Sequence, residues 1–404
     1  MPFLAFFKAR KKMTGMALLA LVYLVALALF DFLTLPVRKD ELHFWPTSLL
    51  FSQGLIPDLE TLRSYRELNT PLPFLLYGWL EFFFGGGLTV GRAFNLLLSF
   101  VMLGWVLQAR KEDDWVGPLA VLGILFFPYY LGISLHLYTD IIATFFALLG
   151  VRLHLSGRLW WAAVSFALAI SSRQYMVAFP GAILLWEYAR SAAVGNVPWK
   201  SLPGHLMQWL AGNLRVWLPL VLSLATLGGW YLFFGGFAPR METERQAVAT
   251  DTFFVLLPRN SLYFLATVGA YFVIPEWLLF NRRIKWHAWL ADWRRWAVLG
   301  LPVVVLYVIF PPWGNSASLL TMGYMDIAAR MALPYPLRMV VYCLLTLLAV
   351  FRFSRLSLSG MVVLIYALLM LKAHIAWDKY ALPVLVVLWF LLAWGESKAE
   401  KSTR

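Results

Sequence analysis

Residues 71–87 read "PLPFLLYGWLEFFFGGG", and whether this stretch crosses a membrane decides how the rest of the chain is laid out. It is apolar, yet it carries Pro71 and Pro73 at its start, Glu81 near its end and three closing glycines, Gly85, Gly86 and Gly87. With about thirteen apolar residues it falls short of the roughly 20 needed to cross a hydrocarbon core about 30 Å thick. It therefore reads as a re-entrant or interfacial helix.

The question arises because the rest of the chain is a membrane sequence. Of its 404 residues 61% are apolar and 14% charged, with a mean hydropathy of +0.71. Soluble domains average about 25% charged and about 45–50% apolar residues. Apolar runs recur near 13–35, 90–109, 115–133, 138–153, 159–171, 174–190, 213–234, 256–280, 296–313, 337–351, 358–371 and 381–395. They predict an all-α polytopic membrane protein of about twelve transmembrane helices, with residues 1–404 forming one integral membrane domain. The first run is too long for the core of a signal peptide and no small-residue cleavage site follows it, so it stays as a span. Some runs are short, and tilt or burial against neighbours would accommodate them. The single cysteine, Cys343, excludes a disulfide framework and a cysteine metal site.

A net charge of +13 raises nucleic acid as a partner. The basic residues, however, gather in short segments between apolar runs, the pattern of membrane-flanking charge. If 71–87 does not cross, the N-terminal "KARKK", "RKEDD" at 110–114, "NRRIKWHAWLADWRR" at 281–295, "FRFSR" at 351–355 and the C-terminal tail share one side. By the positive-inside rule that side is the cytoplasm, and both termini lie there. Residues 38–88 then form a first external loop with interfacial helices. Asp40, Glu41, His43 and Asn69 fall on the extracytoplasmic face, together with "LHLYTD" (135–140), "SSRQ" (171–174), "GGFAPRMETERQ" (235–246) and "KAHIAWDKY" (372–380). These span-edge clusters on one side predict one composite site.

Each cluster has a plain reading and a chemical one. Asp40 and Glu41 are either interfacial acids or include a general base, since a partly desolvated carboxylate beside another acid is raised toward working pH. Adjacent residues on an extended segment point opposite ways, so one faces the reaction centre while the other holds a helix end or a cation. His43 is a second base, a phosphate partner or a satisfied interfacial histidine. Asp140 caps the span beginning near 138 or coordinates a substrate hydroxyl or a divalent cation. One acid is a weak metal signal, because hard cations take six or more oxygens, and no metal site or cofactor is predicted. Arg173, with Gln174 beside it, is a functional candidate at a span edge, its partner being Asp140, Glu41 or a substrate phosphate gripped by two parallel hydrogen bonds. His374, Lys379 and Tyr380 offer donors to a phosphate, and Asp378 can pair with the lysine. The alternative there is an aromatic belt of Trp377 and Tyr380.

The order of these motifs resembles a known family. Asp-Glu-x-His closes the first span, a "TPLP" turn follows, then "R-x-x-N-L-L" (Arg92, Asn95, Leu96, Leu97), "YTD" at Tyr138–Asp140, "RQ" at Arg173–Gln174 and a late His…Asp-x-Tyr edge. This is similar to the GT-C glycosyltransferases that use a lipid-phosphate sugar, and most resembles the dolichyl-phosphate-glucose-dependent alpha-1,2-glucosyltransferases. The likeness is densest over 38–176 and returns at 374–380. It departs at Tyr175-Met176, where the family tends to a polar pair, and at "WDKY". The resemblance implies a catalytic acid at Asp40 or Glu41 and a polyprenyl-phosphate hexose donor. It also implies a glycan or lipid-linked acceptor and inversion at the anomeric carbon. The substrate-binding set then comprises His43, Asn69, Arg92, Tyr138, Asp140, Arg173, Gln174, His374, Asp378, Lys379 and Tyr380. Such an enzyme would sit in a bacterial inner membrane or the endoplasmic reticulum. The rival from another class is a secondary transporter or lipid flippase, which internal repeats and mid-membrane charges would mark.

Overall fold

The computed structural model describes residues 10–29, 35–110, 112–245, 255–280, 293–311, 321–373 and 375–395. They are mostly helical and fall into two compact units. Unit 1 comprises Met1–Pro180, Arg215–Ala247 and Trp389–Arg404, and unit 2 comprises Gly181–Leu214 and Val248–Leu388.

Unit 1 begins with α1 (Lys11–Leu29), then α2 (Lys39–Leu50), α3 (Leu59–Ser64), α4 (Leu72–Phe84) and α5 (Gly87–Leu107). Asp40 and Glu41 lie in the first turn of α2, where the helix dipole favours negative charge. The Asp58 carboxylate caps α3 by accepting from the Thr61 N–H at 2.8 Å. Pro73 starts α4 without costing a hydrogen bond. Gly85 ends it at φ +56°, its N–H donating to the Glu81 carbonyl at 2.8 Å, a left-handed cap that glycine adopts freely. The Glu81 carboxylate then accepts from the Gly87 N–H at 2.8 Å, joining α4 to α5.

The run at 115–133 is not one straight span. It forms α6 (Val116–Leu125) and α7 (Pro128–Ser134), bent by 75°. Pro128 cannot continue the helical ladder and keeps Phe127 extended (ψ 108°). After the turn, α8 (Thr139–Leu155) and α9 (Leu159–Ser172) form an antiparallel hairpin. At Gly150 a Cβ would lie 2.5 Å from the Phe166 ring, so the missing side chain lets the two helices approach closely. Next comes α10 (Ala178–Val194), which continues into unit 2, where α11 (Leu202–Gly212) also belongs; α12 (Leu214–Phe234) and the short α13 (Arg240–Arg245) return to unit 1.

Unit 2 holds α14 (Pro258–Phe280), α15 (Leu301–Ile309), α16 (Tyr324–Ala332), α17 (Tyr335–Phe353), α18 (Leu358–Met370) and the first part of α19 (Leu382–Trp394). A two-residue parallel pair joins β1 (Thr321–Met322) to β2 (Ala376–Trp377). Its core gathers Tyr263, Tyr307, Tyr342 and Phe351. The buried Tyr307 hydroxyl lies 2.7 Å from the Thr346 hydroxyl and donates to the Tyr342 carbonyl at 3.0 Å, as a phenol removed from water requires. A π-helical turn at Gly269–Val273 interrupts α14, where the glycine lies against the backbone of Leu345 in α17.

Each of the twelve apolar runs is helical over most of its length. Among the described residues five helices are long and apolar enough to cross a membrane by themselves: α1, α5, α12, α14 and α17. The bent α6–α7 pair makes a sixth if it counts as one span, and α4, α9 and α18 are shorter apolar helices.

Unit 1 has two distinct ends. At one, the Lys11 and Lys12 N–H groups donate to Asp113 at 3.1 and 2.8 Å. Arg110 pairs there with Asp114 at 3.0 Å, and Arg152 stacks over Trp105 at 5.1 Å. At the other end the Thr70 hydroxyl donates to the Ile170 carbonyl at 2.8 Å and Arg92 reaches Glu41. Both flanks of α4 are thus tied to this second end.

Candidate functional site

The second end of unit 1 is built around a buried ion pair. Glu41 is fully buried, and its Oε1 accepts from Arg92 Nε at 2.8 Å while Oε2 accepts from Arg92 Nη2 at 2.7 Å. The Leu137 N–H donates to Oε1 at 2.7 Å and the Arg38 N–H to Oε2 at 3.0 Å. Arg92 also donates to the carbonyls of Leu35 and Pro36, at 2.9 and 3.5 Å. Burial alone would raise the Glu41 carboxyl, but the hydrogen bonds from Arg92 and the two backbone amides hold it below the usual range. The pair therefore pins three segments together: the entry to α2, the start of α5 and the 135–138 loop.

That loop is held from the other side as well. Asn95 Nδ2 donates to the carbonyls of His136 and Tyr138 at 2.8 and 3.0 Å. The buried Tyr77 hydroxyl, from α4, lies 2.9 Å from Asn95 Oδ1 and 3.0 Å from the Tyr138 carbonyl. His136 sits with Nδ1 2.9 Å from the Gly132 carbonyl, while its Nε2 accepts from Arg38 Nε at 3.3 Å. Burial lowers its basicity, so the neutral ring with a proton on Nδ1 fits both partners.

The fixed loop delivers Asp140 to the first turn of α8, fully buried. Arg173 Nη2 donates to Asp140 Oδ2 at 2.7 Å and Arg173 Nε to the Thr139 hydroxyl at 3.0 Å. The Tyr175 hydroxyl donates to Oδ1 at 3.0 Å. Of the three partners the sequence offers for Arg173, the structure pairs it with Asp140. Gln174 donates to the carbonyls of Leu68 and Phe237 at 2.6 and 3.1 Å, stitching the 65–70 segment to the loop after α12.

Two acids that sequence reasoning did not single out complete the cluster. Glu242, on α13, is fully buried and takes both Arg245 nitrogens, Nη2 at 2.6 Å and Nε at 2.8 Å. Glu67, 8% exposed, lies within electrostatic reach of Glu242, Arg173, Arg245 and Asp40. Burial and the neighbouring Glu242 carboxylate push Glu67 up to about 8, against the pull of Arg173 and Arg245.

Of the predicted residues, Asp40, Glu41, His43, Asn69, Arg92, Tyr138, Asp140, Arg173 and Gln174 belong to unit 1. Asp40 is half-buried and His43 exposed. Asn69 offers its carbonyl to the Tyr65 hydroxyl at 2.6 Å. The buried Tyr138 ring packs edge-on to Phe44 at 6.2 Å.

Asp378, Lys379 and Tyr380 belong to unit 2, and His374 lies outside the described residues. There, Asp378 Oδ2 accepts from the Met325 N–H at 2.9 Å, holding the start of α16. Gly323, at φ +132°, packs against that carboxylate where any Cβ would collide. The buried Lys379 ammonium rests 3.6 Å from the centroid of the Trp377 ring, a close cation–π contact. The Tyr380 carbonyl accepts from the Tyr366 hydroxyl at 2.8 Å.

Among the described residues no group of three or more His, Cys, Asp or Glu side chains is placed to hold a metal ion. Fold and site together define a helical membrane protein with a polar, ion-paired cluster at one end of unit 1. No family model, curated protein or solved structure matches the chain.

Proposed function

We propose that the chain is an integral membrane glycosyltransferase of the GT-C type, with about twelve transmembrane helices. It transfers a glucose-like hexose from a polyprenyl-phosphate sugar to an acceptor hydroxyl on the extracytoplasmic face of a bacterial inner membrane or the endoplasmic reticulum. The observation that carries the reading is the division of labour between two adjacent acids. Glu41 has four donors on its two oxygens and holds the scaffold, whereas Asp40 keeps contact with solvent at the same end as Arg173. A base must be reached by the acceptor hydroxyl, and of the two acids Asp40 is the one in contact with solvent, so the role falls to Asp40.

In this mechanism Asp40 takes the proton of the acceptor hydroxyl as its oxygen bonds to the anomeric carbon. The bond from that carbon to the phosphate oxygen breaks, and the polyprenyl phosphate departs with the electron pair. Arg173 faces the charge that develops on the phosphate, and Asp140 and Tyr175 fix the guanidinium in place. Fixed donors aimed at developing charge are the strongest lever such a site has.

The test is transfer from polyprenyl-phosphate glucose in detergent. Asp40→Asn should fold normally and lose about 10²–10⁴-fold in turnover, the range general base catalysis supplies. Full activity in Asp40→Asn would remove the proposed base.

A further inference from the structure

Glu67 is the acid that the mechanism above leaves unused. The backbone around it is held on several sides. The Tyr65 ring is buried against Phe51 and Phe74, each at 5.8 Å. The Leu68 carbonyl accepts from Gln174 and the Thr70 hydroxyl donates to Ile170. The Glu67 side chain, itself buried, therefore stays beside the cluster.

The groups that face it come from four elements. Asp40 stands on α2, and Arg173 on the segment after α9, with Asp140 and Tyr175 bound to each other beyond it. Glu242 and Arg245 stand on α13, and Tyr65 lies on Glu67's own segment. Both arginines are already matched, Arg173 by Asp140 at 2.7 Å and Arg245 by Glu242 at 2.6 Å. Glu67 is a further acid set beside two complete pairs.

We propose that Glu67 is a positioning residue, held as a neutral carboxylic acid beside two complete ion pairs so that Arg173 keeps its charge for an anionic phosphate. Resting on the glycosyltransferase reading, this assigns Glu67 the control of donor binding. Were it ionised, Glu67 would add a fourth carboxylate to Asp40, Asp140 and Glu242 beside only two guanidinium groups, and the extra charge would compete for Arg173 and repel the phosphate. Burial and Glu242 favour the protonated form up to about pH 8. A buried carboxyl kept neutral in this way is a known device for holding an acid in its donor form.

The test uses the full chain in detergent, with KM for polyprenyl-phosphate glucose and kcat measured from pH 6 to 10. For the wild type, KM should rise about tenfold per pH unit once Glu67 ionises, while kcat changes less. In Glu67→Gln, whose side chain is neutral at every pH, the rise in KM should disappear, each variant being compared with its own minimum. Glu67→Asp should retain it. A rise of the same size and midpoint in Glu67→Gln overturns the proposal.

Infrared difference spectra over the same pH range report protonation without any turnover. The wild type should show a carboxylic acid band that fades near pH 8 and that Glu67→Gln lacks. A carboxylate already ionised at pH 6 overturns the proposal whatever the enzyme does. The band present with no sugar transfer at any pH leaves Glu67 neutral but defeats the glycosyltransferase reading on which its role depends.

Discussion

Arg92 and Glu41 meet where no water can replace either partner. Removing one member of a buried pair leaves the other charge uncompensated, at a cost of about 3–5 kcal/mol. Arg92→Ala should therefore lower the midpoint of thermal unfolding in detergent well below that of an exposed substitution such as Glu112→Ala, which a fluorescence melt would show. The pair also has a pH signature. Because hydrogen bonding holds the folded Glu41 below its ordinary value of 4.5, its contribution is complete above about pH 4.5 and is lost as pH falls through the lowered value. Glu67 has the opposite sign. Its folded value of about 8 exceeds the ordinary 4.5, so the folded state binds the extra proton between them, and this group's contribution declines as pH rises from 4.5 to 8. Glu67→Gln should flatten that part of the curve of unfolding midpoint against pH. An unchanged slope would mean that Glu67 is ionised in the folded protein.

Among the elements, α4 depends on a small residue where it packs. Gly78 faces the 51–52 turn so closely that a Cβ would lie 2.7 Å from the Phe51 carbonyl carbon. That is backbone and cannot step aside. Gly78→Val should cost about 1–3 kcal/mol by overpacking and loosen the 51–71 segment, read as faster proteolytic cleavage there with α5 and α8 intact. The composition of α4 revealed its apolar character and its short length, and Gly85 marked its end. The bend between α6 and α7 is also written in the chain, since Pro128 stands inside an apolar run of the right length. The pairing of Arg173 was open in the sequence because Asp140, Glu41 and a substrate phosphate were all eligible, and contact between α8 and α9 selects Asp140. Glu67 was hidden for another reason. It sits in "RSYRELNT", where its neighbours are polar and nothing periodic distinguishes a buried carboxylate from an exposed one. Its burial comes from α13 and the loop after α9, distant in sequence.

On the scale of the molecule, the expected layout rests on charge asymmetry, because helix lengths alone do not fix it. Among the described residues five helices meet the length of a span unaided, and the ties within unit 1 separate its basic end, at Lys11, Lys12 and Arg110, from the end at Glu41, Asp140 and Arg173. By the positive-inside rule the basic end is expected in the cytoplasm, and the proposed function then requires the acid cluster to lie outside. Cysteine labelling in intact cells measures this directly. Cys343 is the single native thiol, so it is replaced by serine before one cysteine is introduced at each exposed position. His43→Cys, on α2, should react with a membrane-impermeant maleimide added to intact cells. Glu112→Cys, in the loop between α5 and α6, should react only after permeabilisation. The reverse pattern would put the proposed base in the cytoplasm, where Asp40 would face an acceptor on the wrong side for an extracytoplasmic transfer. Labelling of both positions in intact cells would mean that 71–87 crosses together with α5, and the assignment of 71–87 as a helix that returns to its own side would fail.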